Sequence, residues 1–295
     1  MRAHTIGLLL VLLSAGAAAA APAHDAAFWR AIARDHYTPP AGSDVPALAE
    51  ELTGLLSSPD PELRDTIAYS SLASWIFQQK LLDAAALSGL GARLRANLTR
   101  GIGEHDTDGV FGRSFSALVL SVVVARDNAD PFLDAGDWRA IEAAALGYLA
   151  AEQDVRGYDA ATGWMHSAAH TADLLKFLGR SRYLDAAGQR RMLDAIARKL
   201  TDAPVVFTHG EDERFARAVL SLTSRKDFVE AAFTAWLQQT RPAVPEHPTA
   251  AHLRAAQNWK NLLAKLEVLL SNDPQPSEAA IAARTSLRAA LKTLY

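Results

Sequence analysis

The chain has 295 residues, 49% of them hydrophobic, and a formal net charge of −3 at pH 7. That is enough apolar material for one large domain or two small ones, and the weakly acidic balance gives no pull toward nucleic acid or anionic lipid. There is no cysteine, which excludes disulfides, thiol nucleophiles and a lipidated cysteine.

Residues 1–20 read as a secretory signal. Arg2 is the basic start, Ile6 to Leu13 an apolar core too short to span a bilayer, and Ala18-Ala19-Ala20 a run of small residues. Cleavage is expected before Ala21. The expected product is a soluble periplasmic or secreted monomer without a membrane span, because no later segment reads as apolar for long enough.

Residues 21–295 read as a single all-α domain. Ala, Leu, Arg and Glu recur at helical spacing between short Gly, Pro, Asp and Asn punctuation, and strand signals are scarce. The spacing predicts helices over 25–34, 45–56, 63–77 and 83–98. A polar loop follows from Gly101 to Gly109. Its Asp106-Thr107-Asp108-Gly109 is a fragment of a calcium loop without the third acid and the closing glutamate, so the loop reads as a connector. Further helices are predicted over 114–125, 135–152, 163–178, 185–201, 212–222, 226–240, 249–270 and 277–294.

The helices recur with a period of about 50 residues. Asp65, Arg113, His166, Arg214 and Asn261 sit at corresponding places, 48, 53, 48 and 47 residues apart. Two helices per period predict a HEAT- or armadillo-like α-α superhelix of about five helix pairs. A closed α/α toroid is the alternative. In a stack of pairs the five positions would line one concave surface, with His166 in the middle repeat.

The chemistry is densest around Gly163-Trp164-Met165-His166-Ser167-Ala168-Ala169-His170-Thr171-Ala172-Asp173. At helical spacing His166, His170 and Asp173 fall within about 60° of one another on one face. The rest of that helix is apolar nearly all round, so it should be buried and its polar groups need partners. Three readings stay open: a satisfied polar network, a small-ligand or peptide site, and a metal site with His166, His170 and Asp173 as ligands. Glu152, Asp154 and Arg156 lie just upstream, where a helix end near Gly157 would let the two acids converge. Their bland reading is a salt-bridged loop. In His209-Gly210-Glu211-Asp212-Glu213-Arg214, the acids suit a helix start, whereas Arg214 should face the groove near His166. Arg113 should reach the same groove.

There is no phosphate-binding Gly-Lys loop, no dinucleotide fingerprint and no Gly-x-Ser-x-Gly elbow. The expected function is therefore binding of a peptide or polar small molecule in a groove centred on His166 and His170. The expected contacts are Arg113, Glu152, Asp154, Arg156, Trp164, His166, His170, Asp173 and Arg214. The alternative is a metal-dependent hydrolase in which a divalent ion on His166, His170 and Asp173 activates water, with Glu152 or Asp154 as base.

The stretch from Gly163 to Leu175, preceded by Glu152-x-Asp154-x-Arg156-Gly157, resembles the hallmark of the uncharacterised bacterial family catalogued as domain of unknown function 2785. Arg113-Ser114-Phe115-Ser116-Ala117-Leu118 and Glu211-Asp212-x-Arg214 resemble its other characteristic stretches. The resemblance spans roughly residues 45–270. It implies an all-α domain and brings no activity with it.

Overall fold

The computed structural model describes residues 23–292. The signal sequence expected over residues 1–20 lies outside them.

The chain is helical, as the spacing requires. Two short helices open it, α1 (Ala26–Arg34) and α2 (Val45–Leu55). The next, α3, is one unbroken run in which Glu62–Tyr69 and Ser74–Gln78, with wider π-type turns, flank Ser70–Ala73. Then come α4 (Ala84–Asn97), α5 (Gly109–Ala129), α6 (Ala135–Ala151) and α7 (Ser167–Leu178). The last five are α8 (Ala186–Asp202), α9 (Glu211–Thr223), α10 (Glu230–Thr240), α11 (Ala250–Ser271) and α12 (Glu278–Leu291). Capping chemistry sets many of the starts. Asp25, Asp44, Asp83, Asp134, Asp185, Thr249 and Ser277 each accept the N–H three residues on.

Alternate helices share a layer. In chain order α3, α5, α7, α9 and α11 pack side by side, and α4, α6, α8, α10 and α12 do the same behind them. Neighbouring inner helices run parallel. At the start of α5 and α7, Ser114 bonds the Met165 carbonyl and His170; at their ends, Asn128 donates to the Phe177 carbonyl at 2.8 Å. His166 to His209 and Arg180 to Ser221 mark the same two ends of α7 and α9. One apolar core runs through both layers from Trp29 to Leu287.

Three elements differ from the sequence expectation; the simplest case is α10, which begins at Glu230 and not at 226. Helix α5 extends beyond 114–125 at both ends. By length and composition alone it could cross a membrane, contrary to the reading that no later segment could, yet it lies buried in the core. Helix α7 starts at Ser167, not at 163. Gly163–Trp164 is instead a strand, β2, paired antiparallel with Tyr158–Asp159, β1, with Tyr158 opposite Trp164. The cause is local: Gly163 (φ 76°) and His166 (φ 50°) are both left-handed, a conformation no helix interior accepts.

Candidate functional site

The Tyr158–Trp164 hairpin carries the key stretch and is held from below. Arg64, fully buried at the start of α3, donates from Nη2 to the Thr162 carbonyl at 2.8 Å and from Nη1 to the Ser58 carbonyl at 3.0 Å. Its guanidinium lies 4.1 Å from the Phe111 ring centroid, a desolvated cation–π contact. A Cβ at Gly163 would stand 3.1 Å from that guanidinium. Sequence reasoning passed over Arg64 in favour of its neighbour Asp65. Asp65 accepts from Arg64 Nε at 2.7 Å, and burial raises its pKa.

Four of the expected site residues form an ion-paired hub between α5, α6 and the hairpin, and Glu152, Asp154 and Arg156 also line a cleft of about 720 Å³. Helix α6 ends at Ala151, so Glu152 and Asp154 leave it in extended chain. Gly157 does not terminate that helix; it makes room for His209, whose ring a Cβ there would approach to 2.4 Å. Arg113 grips Glu152 with Nε to Oε2 at 2.5 Å and Nη2 to Oε1 at 3.2 Å. Nη1 of Arg113 also donates to the carbonyls of Arg100 and Gly101. Burial alone would lower the Arg113 pKa; the Glu152 carboxylate outweighs it and holds the value above the ordinary one. Glu152 Oε1 accepts the Asp154 N–H at 3.0 Å, and Asp154 is forked by Arg156 at 2.9 and 2.5 Å. Arg113, Glu152 and Asp154 are buried. This corrects the expectation for Arg113: it does not reach a groove, because its donors are spent inside the wall.

The other five come together on the inner layer. His166 is the residue before α7, and its left-handed backbone is strained for a residue with a Cβ. Its ring stacks on Trp164, with centroids 4.2 Å apart, and Nε2 donates to the His209 carbonyl at 2.9 Å. His170 stands edge-on to His166, at 5.6 Å between centroids, and edge-on to Phe115. The Ser114 hydroxyl donates to the Met165 carbonyl, so its oxygen takes the Nδ1–H of His170, 2.8 Å away. Each neutral ring thus keeps one lone pair, on Nδ1 of His166 and on Nε2 of His170. Neither has a protein partner among the described residues.

Burial lowers both histidine pKa values, against the pull of Glu211 at His166, and Arg214 lowers them further. His166 and Arg214 thus lie on adjacent helices, α7 and α9, close enough for the guanidinium charge to act on the ring. Asp173, one turn below His170, is buried. It takes Arg214 on Oδ2 and Lys176 on Oδ1, the latter at 3.0 Å. Burial raises the Tyr69 pKa, and the Asp173 carboxylate adds to it. The metal set expected from His166, His170 and Asp173 does not form. Among the described residues no three His, Asp or Glu side chains are placed to hold a metal ion, and both Asp173 oxygens are taken by cations.

Below Asp173 the inner face opens into a groove of about 330 Å³. Leu118, Ser121, Val122 and Ala125 of α5 line its floor; Tyr69 and Phe77 of α3 stand on one side and Phe177, Lys176 and Arg214 on the other. Of these, sequence reasoning named only Asp173 and Arg214 as site residues. Lys176 was within reach, three residues from Asp173 on the same face. Of the five repeat positions, Asp65 is tied to Arg64 and Arg113 lies in the hub. Asn261 on α11 accepts from Gln257 at 2.7 Å.

No curated protein and no solved structure matches the chain. The family described as protein of unknown function (DUF2785) matches residues 98–270, a span that holds the hub, the hairpin, both histidines and Arg214. The chain belongs to the DUF2785 family.

Proposed function

We propose that this is a binding protein whose inner face, between α3, α5, α7 and α9, takes a peptide or polar small molecule. One observation carries the reading: a half-exposed Arg214 with free donors stands at the edge of a groove with an apolar floor, and two buried histidines with unshared lone pairs lie one and two turns up α7 from the Asp173 that lines it. An apolar cleft with a few convergent polar groups is the usual form of a ligand site. The two-layer stacking supports an open α-α superhelix of the HEAT or armadillo kind, whose inner face is its common binding surface. The pattern of residues 1–20 supports export to the periplasm or medium.

The test is ligand-observed NMR with a panel of amino acids, dipeptides, small carboxylates, amines and amides. Hits should disappear in Val122→Trp, which fills the groove floor. Hits that persist unchanged in a folded Val122→Trp protein, or a panel without hits, would overturn the reading.

A further inference from the structure

The polar end of the groove has hydrogen-bond donors to spare. Arg214 and Lys176 share a single acid, Asp173, whose two oxygens they divide. The Asp173 side chain is 5% exposed and that of Arg214 is 43% exposed, so the acid is sealed and the guanidinium is not. Arg214 bonds Asp173 through Nη1, and its remaining donors have no protein partner among the described residues. The other acid near this end, Glu211, is buried and accepts the His209 N–H at 2.8 Å. Further along the inner face Glu213 is taken by Arg217, and Lys265 of α11 adds another cation. The unspent N–H donors of Arg214 are therefore left where the groove meets solvent.

The far end is apolar. Leu118, Val122 and Ala125 form the floor, with Phe77 and Phe177 on either side, and Phe77 is 43% exposed. A volume of about 330 Å³ is near the small end of the range for ligand pockets.

Resting on the groove reading above, we propose that the ligand is a small monocarboxylate with an apolar body. The carboxylate sits against Arg214 and Lys176, and the body lies on Leu118, Val122 and Phe77. A guanidinium with free N–H donors suits a carboxylate; the one hydroxyl of the floor, that of Ser121, is spent on the Leu118 carbonyl, which leaves Tyr69 and Gln78 on the α3 side as the other uncharged polar groups of the groove.

Titration calorimetry with hexanoate, octanoate, octanamide and octylamine tests this. Octanoate should bind more tightly than octanamide, and octylamine should not bind. Affinity should rise from hexanoate to octanoate by up to about fourfold per methylene. Arg214→Gln should weaken octanoate about tenfold or more. Asp173→Asn should tighten it, because both cations are released; a merely structural role for Asp173 cannot produce tighter binding. Octanamide equal to octanoate, with both lost in Val122→Trp, overturns the carboxylate and leaves the groove standing. Absence of octanoate binding also overturns it, and the groove reading then falls only if the NMR panel has no hits lost in Val122→Trp.

Discussion

Two polar clusters of the chain differ in how their charges are spent. In the hub, Arg113, Glu152 and Asp154 are buried, and each bonds to other protein groups. On the inner face, His166 and His170 keep a lone pair each, and Arg214 keeps free donors at a half-exposed position. Both clusters look alike as lists of residue types. Charge with complete partners ties loops to helices, whereas polar groups with hydrogen-bonding capacity to spare, a half-exposed Arg214 among them, can bind.

The comparison breaks most sharply at Arg113. Replacing it with Ala leaves Glu152 charged and unpaired in the interior, and removing one member of such a pair costs about 3–5 kcal/mol. Urea unfolding should show that loss. A cost below about 1 kcal/mol would place Arg113 with the inner-face residues and erase the contrast.

Protonation sharpens it next. His166 and His170 have folded-state pKa values lowered by burial, whereas an unfolded histidine titrates near about 6.5. As pH falls through that value the unfolded chain takes up protons first. Stability is therefore full above about pH 6.5 and falls below it, by at most about 1.4 kcal/mol per pH unit for each histidine. His170→Phe should flatten the slope of unfolding free energy against pH. An unchanged slope would mean that His170 is already charged in the folded protein.

The smallest stability effect belongs to Arg214. Its side chain is 43% exposed, and Asp173 retains Lys176. Arg214→Gln should cost less than about 1 kcal/mol in the same urea measurement. A cost like that of Arg113→Ala would make Arg214 part of the scaffold and deprive the groove of its anchor.

Composition and spacing were sufficient for the helices. Aspartate caps, apolar periodicity and Gly or Pro punctuation act within a few residues, so they are readable in one dimension. The alternation of helices was legible too, and with it the placing of His166 and Arg214 on adjacent helices of one layer. The start of α7 was less so. Apolar spacing continues through Gly163 and Trp164, and only the left-handed turns at Gly163 and His166 reveal the hairpin.

Partner choice could not be read from the chain at all. Arg113 and Arg214 occupy corresponding repeat positions, yet one meets Glu152 in the interior and the other meets Asp173 at the edge of a groove. Arg64 looks like any helix-surface cation until Phe111 and Thr162 close over it. Local sequence determines backbone geometry because its causes lie within one turn. Which charges are sealed and which stay open depends on groups 39 to 98 residues away, and only the packed fold brings those together.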